Sequence, residues 1–332
     1  MDKITDAKYV SNFVGERLAA KGLLQSPVSL RRHRQAMEDA DSKIVFLSKG
    51  RHGLVVVVSP ALFPEVVAEE YLKAARMRSH LGDLGAPILE PLDSGRIGTL
   101  SYAVLPYRRP LARRRGLRWI DRKWMKRYVR EWLLQLAQRR STHCSLTRYE
   151  ASLTALGRTV AADSVTAALL RSAEKYLRSG RFAPRACPMH GDLWGGNVLH
   201  GAASTAFTLV DWRGSEIDGF PLFDLIRTAQ SFGFSAKALY RELQLHRAAL
   251  GCQPEDLPVY LLGALGHYAA HLGEMAPRLF RDMADECVRH LSLALDSAAR
   301  SGSVQRLQDG PARSAAFDGL PPASAPESSS GK

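Results

Sequence analysis

The chain has 332 residues, a length that favours two lobes with a cleft between them over one compact core. Its 45% hydrophobic and 24% charged residues are typical of a globular protein and exclude wholesale disorder or a long coiled coil. Charges interrupt the N-terminal segment, no apolar run approaches the roughly 18 residues of a membrane span, and the four cysteines form no CxxC pair. We therefore expect a cytoplasmic protein with free thiols.

The first half of the chain predicts a small α+β lobe. Residues 43–60 are two β-branched strands joined by a turn at 49–53, and a strand resumes at 101–106. Between them a helix is predicted to follow Pro64 and to end near Gly82 or Gly85. Its helical spacing is indicated by Val67, Tyr71, Leu72 and Ala75.

From Leu117 onward the apolar pattern is helical. It is carried by Leu117, Ile120, Trp124, Tyr128, Trp132 and Leu136. Further helices are predicted at 150–179, 222–250 and 258–298, with two short strands and Gly-rich loops between 187 and 214. The last segment, 301–332, is rich in Ser, Pro, Gly and Ala, and we expect it to be a disordered tail.

Chemistry is concentrated in the segment HGDLWGGN, residues 190–197, and in Asp211, which follows the apolar run FTLV. Phosphoryl transfer requires a carboxylate that deprotonates the attacking hydroxyl and oxygen ligands that hold Mg²⁺ against the nucleotide phosphates. Asp192, Asn197 and Asp211 can supply this set, because the flexible Gly195-Gly196 pair lets Asn197 turn back toward Asp192. The competing interpretation, a Gly-rich turn with incidental polar residues, does not account for the whole pattern.

These motifs resemble the catalytic and metal-binding loops of the aminoglycoside phosphotransferase, choline kinase and fructosamine kinase superfamily. The resemblance implies an α+β, protein-kinase-like, two-lobed fold with a small β-rich N-lobe and a larger, mainly helical C-lobe. It places the nucleotide-binding sheet and hinge in 1–106 and the catalytic loop and acceptor site in 107–300. It also implies that ATP and Mg²⁺ are the cofactors.

The resemblance further implies residue roles. Asp192 would be the catalytic base, with Asn197 and Asp211 as metal ligands. His190 would brace the loop, and Asp224, in the segment PLFDL, would cap the next helix or brace the catalytic loop. Leu105 and Tyr107 would form the hinge that receives the adenine.

The phosphate-binding lysine that this superfamily carries in the strand after the hairpin is absent, and Val57 stands in its place. The helix carboxylate that normally pairs with that lysine would be Glu69 or Glu70, and we assign Glu69 to the nucleotide site. Lys49, in the hairpin turn, or Lys43 could contact the phosphates instead, and we assign Lys49. A solvated turn lysine is the alternative.

The net charge of +13 is concentrated in one segment, since thirteen Lys or Arg lie between Arg108 and Arg140, against Asp121 and Glu131. One interpretation is a helix whose apolar stripe packs inward and whose basic face is solvated. The other is a docking face for an anionic substrate or an anionic membrane surface. Its candidate cations are Arg122, Lys123, Lys126, Arg127 and Arg130. Nucleic acid is not favoured, because no recognised binding module accompanies the basic residues.

The function predicted is transfer of the γ-phosphate of ATP to a hydroxyl of a small molecule, which can be a sugar, an amino sugar or a glycan-like acceptor and can be anionic. The alternative, motivated by Val57, is a kinase-like protein with weak or no catalysis that binds a nucleotide or a partner. The sequence does not identify the acceptor.

Overall fold

A computed structural model describes residues 6–23, 28–34, 43–48, 53–112, 115–140, 144–202, 205–271 and 276–308. The N-terminal lobe is built on a five-stranded antiparallel sheet with the order β1-β2-β3-β5-β4. Its strands are β1 (Leu30–Arg34), β2 (Ile44–Ser48), β3 (Leu54–Val58), β4 (Asp93–Ile97) and β5 (Leu100–Pro106). The predicted hairpin and the strand ending at Pro106 are confirmed, whereas β1 was not predicted.

Side chains alternate between the two faces of this sheet, as the pleat requires. On one face, Phe46, Val56 and Val104 are buried against helix α1 (Ala7–Ala20), whose N-terminus is capped by Asp6. On the other face, Val45, Leu47, Val55 and Val57 line a cavity. The register pairs Val45 with Val57, so these residues project side by side into the cavity.

Helix α2 (Val66–Leu81) confirms the helix predicted after Pro64, and a 3-10 turn at Gly82–Gly85 follows it. The buried stripe differs from the predicted one. Its members are Val67, Glu70, Ala74, Met77 and Leu81. Leu72 is exposed on the opposite side. The cause of the error is Glu70, since a carboxylate on the buried stripe hides the hydrophobic periodicity.

The larger lobe is mainly helical. Its helices are α3 (Arg115–Gln138), α4 (Leu146–Thr159), α5 (Val165–Arg178), α6 (Phe223–Phe232), α7 (Ala236–Leu250), α8 (Asp256–Ala270) and α9 (Pro277–Gln308). Each of the three helical regions predicted after 150 is therefore two helices. The breaks have local causes, because Ser164 and Ser235 cap the N-termini of α5 and α7 and Gly233 ends α6 in a left-handed conformation.

The tail predicted to begin at 301 was placed too early. Helix α9 continues to Gln308, and the rest of the tail, from 309 to 332, lies outside the described residues. Extending an existing helix requires no new nucleation, so polar residues that would not start a helix can continue one.

Four short strands lie between α5 and α6 and carry the HGDLWGGN segment. β6 (Cys187–Met189) pairs with β9 (Glu216–Gly219), and β7 (Val198–His200) pairs with β8 (Phe207–Leu209). The α+β, two-lobed arrangement expected from the sequence is thus confirmed. Among the described residues, none of the helices has the length and apolar character needed to cross a bilayer.

Candidate active site

The loop between β6 and β7 brings Asp192 and Asn197 into contact. The Asn197 side-chain amide donates to the Asp192 backbone carbonyl over 2.9 Å and to its carboxylate Oδ2 over 3.1 Å. These two bonds use the amide nitrogen and leave Oδ1 of Asn197 as its potential metal ligand. The loop therefore holds the predicted base and a predicted metal ligand in one rigid unit.

His190 fastens this loop to the segment that carries Asp211. Its Nε2 donates to the Val210 carbonyl over 3.0 Å, and its Nδ1 accepts from the Asp192 backbone amide over 3.3 Å. The ring is fully buried, 4.5 Å from the ring of Trp212. Burial lowers the pKa of His190 to about 4, so the ring is neutral at pH 7. His190 thus has the bracing position expected for it.

Side chains spaced along one face of helix α6 hold the same loop through hydrogen bonds. The Asp224 carboxylate accepts the backbone amides of His190 at 2.6 Å and Gly191 at 3.1 Å. Ser231, two turns later, accepts the Gly195 amide over 2.5 Å. Of the two roles considered for Asp224, the structure therefore shows the bracing of the catalytic loop.

Gly191 is required by this arrangement. Its φ is +87°, and a Cβ there would lie 2.1 Å from the Gly214 carbonyl oxygen. A side chain at this position would force the catalytic loop away from the loop that carries Asp211.

Asp192 has an electrostatic environment suited to a base. Its side chain is partly exposed, and Arg227 of α6 lies 3.4 Å from its Oδ1. Burial raises the pKa of Asp192 to about 6, although the positive charge of Arg227 opposes this shift. Arg227 was not predicted, because nothing in its local sequence distinguishes it from a surface arginine.

Asp211 lies across the cleft mouth and has a backbone φ of +69°, which is unusual for a residue other than glycine. Its Oδ1 is 2.8 Å from Nζ of Lys43, which also forms an ion pair with Glu70 of α2. Burial alone would raise the pKa of Asp211. The positive charge of Lys43 and its hydrogen bond to Asp211 together have the larger effect, and they hold that pKa below its ordinary value. The carboxylate is therefore ionised and available to a cation.

Lys43 lines the same cavity as Val57, the β3 residue that stands where the superfamily lysine is expected. It immediately precedes β2 and lies two residues before Val45, so strand alternation places it on the same cleft face as Val45 and Val57. Burial disfavours its charge, but Glu70 and Asp211 more than compensate, and the pKa of Lys43 is raised. Lys43 is therefore a cation inside the cleft.

The assignment of Glu69 to the nucleotide site needs correction. Glu69 is exposed on the outer side of α2, and its neighbour Glu70 is the carboxylate that faces the cleft. The two differ by one step of about 100° around the helix, so only one can point inward. Lys49 falls in 49–52, which is outside the described residues.

The hinge residues Leu105 and Tyr107 line a cavity of about 470 Å³ together with Lys43, Glu70, Asn197 and Asp211. The Tyr107 backbone amide already donates to the Gly53 carbonyl over 2.7 Å. The backbone amide of Tyr107 is therefore already used within the protein. A Cβ at Gly53 would be 2.8 Å from the Cβ of Tyr107, so this close approach requires glycine.

A second cavity, of about 130 Å³, is lined by Asp192, Asp211, Lys73 and His267 among others. Asp211 borders both cavities, whereas Asn197 borders the larger and Asp192 the smaller. These three side chains thus form a partition between the two cavities. Described residues contain no cluster of three or more His, Cys, Asp or Glu that could hold a metal. Mg²⁺ commonly takes only one or two carboxylates beside phosphate and water ligands, so Asp211 and the Asn197 amide fit it.

Comparison with known proteins agrees with this geometry. A model described as the phosphotransferase enzyme family matches residues 33–260, which is more than half of the sequence. The chain belongs to this family of phosphotransferases. No match was found among curated proteins.

Solved structures share the fold at low sequence identity. A thermostable mutant of aminoglycoside phosphotransferase APH(4)-Ia, in ternary complex with AMP-PNP and hygromycin B, is 16% identical, with a TM-score of 0.54 over 84% of this chain and 98% of that chain. A macrolide 2'-phosphotransferase type I is 14% identical, with a TM-score of 0.51 over 82% of this chain and 95% of that chain. The macrolide 2'-phosphotransferase MphH from Brachybacterium faecium is 15% identical, with a TM-score of 0.48 over 84% of this chain and 97% of that chain.

Proposed function

We propose that this phosphotransferase moves the γ-phosphate of ATP to a hydroxyl of a small molecule in a reaction that requires Mg²⁺. The observation that supports this most strongly is the partition formed by Asp192, Asn197 and Asp211 between a large and a small cavity. A nucleotide in the large cavity and an acceptor in the small one would meet at these side chains. Aminoglycoside phosphotransferase APH(4)-Ia, which shares the fold, was crystallised with both a nucleotide analogue and an acceptor.

The chain's own residues then have separate roles. Asp192 accepts the proton of the acceptor hydroxyl as its oxygen bonds to the γ-phosphorus, and the bond from that phosphorus to the bridging oxygen of ADP breaks. Lys43 donates hydrogen bonds to nucleotide phosphate oxygens, and Glu70 keeps its ammonium in place. Asn197 and Asp211 would hold Mg²⁺, which when bound neutralises charge on the phosphate oxygens.

Lys43 also bears on the alternative of a kinase-like protein with weak or no catalysis. That alternative was motivated by Val57 in β3, where no lysine is available for the phosphates. A cation paired with a helix carboxylate is nevertheless present in the cleft, supplied by Lys43 directly before the neighbouring strand. This cation supports catalysis over the alternative.

The charge of the acceptor side favours a neutral or anionic acceptor over a polycation. The small cavity and an adjoining one of about 330 Å³ share Lys73 and Glu216. Apart from Asp192 and Asp211, the charged residues described around them are Lys73, Arg76, Arg148, Arg213, Glu216 and Asp218. Glu216 is 3.6 Å from the Lys73 ammonium, so these two charges pair with each other. Away from Asp192 and Asp211, four cations therefore outnumber two carboxylates, and this part of the lining would disfavour a polycationic acceptor.

Acceptor-dependent release of ADP tests this proposal. The panel contains neutral sugars, sugar acids and sugar phosphates, aminoglycosides, and choline-like alcohols, each assayed with Mg²⁺ and with EDTA. We expect turnover with a neutral or anionic hydroxyl compound that is abolished by EDTA. Turnover that persists without divalent metal would contradict the metal role. Efficient turnover restricted to aminoglycosides would contradict the proposed acceptor class.

A further inference from the structure

The N-terminal half of α3 exposes large apolar side chains. Their exposed fractions are 53% for Leu117, 65% for Trp119, 56% for Ile120 and 45% for Trp124. The predicted inward-packing stripe is therefore wrong for this half of the helix. The residues that bury α3 against the lobe begin at Met125 and continue through Val129, Trp132 and Leu136.

The exposed apolar residues form a face of their own. Leu117, Ile120 and Trp124 follow the spacing i, i+3, i+7 and lie along one side of the helix, while Met125 and Val129 lie on another side and are fully buried. We call Leu117, Ile120 and Trp124 the α3 apolar face, whereas Trp119, two residues after Leu117, lies on a different side of the helix, beside Lys123. A contiguous exposed apolar face of this kind is typical of an interaction site.

Positive charge surrounds the α3 apolar face. Between Arg108 and Arg130 the sequence has eleven Lys or Arg and one carboxylate, Asp121. Lys123 and Arg127 are exposed, and the Lys123 ammonium lies over the Trp119 ring at 5.2 Å. Asp121 adds little negative charge to the surface, because it accepts the Ala112 amide over 2.8 Å and its other neighbours are basic.

Two of the five cations considered as a docking set face the protein instead. Arg130 forms an ion pair with the buried Glu242 of α7, and the Lys126 ammonium lies 3.6 Å from the Phe234 ring centroid. Their charge is used within the lobe. The outward cations on this part of α3 are therefore Lys123 and Arg127, whereas Arg122 is partly buried.

We propose that the N-terminal half of α3 is a peripheral docking site for an anionic lipid surface. In this arrangement the α3 apolar face enters the headgroup region and the surrounding cations contact lipid phosphates. Helices that lie in the membrane interface typically combine Trp, Leu and Ile with Lys and Arg. Nucleic acid would engage the cations and stack on Trp, but it offers no apolar environment for Leu117 and Ile120.

The docking site is joined to the active-site cleft. The Trp124 ring stacks on His200 at 6.2 Å, and Asp121 lies 3.1 Å from the Nε2 of His200. His200 ends strand β7, which begins directly after Asn197. A lipid surface at the α3 apolar face would therefore lie beside the catalytic loop.

The test is sedimentation of the full-length protein with vesicles of phosphatidylcholine alone or with 30% phosphatidylglycerol, at about 50 and about 500 mM NaCl and without ATP. We expect binding to the anionic vesicles at low salt and little binding to the neutral ones or at high salt. Because no nucleotide or acceptor is present, the outcome is independent of the proposed phosphotransfer.

Two double variants separate charge from apolar insertion. Lys123→Glu with Arg127→Glu should weaken partitioning by well over tenfold, since each basic residue near an anionic surface contributes about fivefold. The matched control is Lys237→Glu with Arg241→Glu on α7, which has the same spacing and exposure and should bind as wild type. Leu117→Asn with Ile120→Asn, which removes apolar surface without adding charge, should abolish binding, whereas Leu279→Asn at an exposed position of α9 should not.

Equal binding to neutral and anionic vesicles, or wild-type binding by Lys123→Glu with Arg127→Glu, would overturn the proposal. Undiminished binding by Leu117→Asn with Ile120→Asn would also overturn it, because a purely electrostatic surface would then suffice. Binding to single-stranded RNA that survives the Asn substitutions, without any vesicle binding, would instead assign the basic residues to nucleic acid. Unchanged thermal unfolding temperatures would show that the variants fold.

Discussion

Lys43, directly before strand β2, forms an ion pair with Glu70 of helix α2 inside the cleft. The same ammonium lies 2.8 Å from Asp211 of the opposite lobe, so one cation connects the sheet, the helix and the proposed metal site. In the superfamily that the sequence resembles, this cation is expected from the strand after the hairpin. Here the cation is Lys43, directly before the preceding strand β2. Val57 of β3 lies on the same face of the sheet.

The substitution Lys43→Met should lower kcat/KM by about 10²- to 10³-fold, the usual effect of removing one donor to a reacting oxyanion. Adding Val57→Lys to this variant should restore part of the activity, because the side chain at 57 projects into the same cavity from the neighbouring strand. Steady-state kinetics and calorimetric ATP binding check both variants. Wild-type kinetics of Lys43→Met would show that the phosphate contact comes from elsewhere.

Glu70 acts through Lys43, so it is a positioning residue. Glu70→Gln should reduce kcat/KM by about ten- to a hundredfold through a misplaced ammonium. The adjacent substitution Glu69→Gln is a matched control, because Glu69 has the same chemistry but is exposed. In a Lys43→Met background, Glu70→Gln should add little further loss. If the losses caused by Lys43→Met and Glu70→Gln were fully additive, the result would contradict the coupling of Glu70 to Lys43.

The N-terminal lobe should lose stability in acid through Asp93, which links α1 to the sheet. Burial disfavours its charge, but donation from Arg17 over 2.9 Å and from Tyr102 over 2.5 Å, with Lys21 also near, lowers the pKa of Asp93 to about 2. A folded-state pKa below the unfolded value stabilises the protein above about pH 4, and this stabilisation is lost as the pH falls toward 2.

Urea unfolding between pH 7 and pH 2 measures this effect. Asp93→Asn should be less stable than wild type at pH 7, and the difference should shrink as the pH approaches 2. Asp163→Asn, at an exposed position, serves as the control. A difference between wild type and Asp93→Asn that stays constant with pH would exclude ionisation of Asp93 as the cause.

The sequence was sufficient for the parts of the site that one local motif determines. Asp192 and Asn197 are five residues apart in a Gly-rich loop, and the structure brings them together with Asp211 as predicted. That Lys43 reaches the cleft could not be predicted, because it depends on strand register and on the distance to α2. Whether Glu69 or Glu70 faces the cleft depends on the rotation of α2 about its axis, which is fixed by packing of the whole helix. The exposure of Trp119 and Trp124 depends on where α3 leaves the lobe, and periodicity does not contain that information.

Asp192 is the proposed base between the two cavities. The decisive measurement is kcat of Asp192→Asn with an acceptor identified by the ADP-release panel, together with the calorimetric Kd for Mg-ATP. We predict a fall in kcat of about 10²- to 10⁴-fold, the usual contribution of a general base, with the Kd for Mg-ATP nearly unchanged. Turnover by Asp192→Asn at the wild-type rate would contradict it.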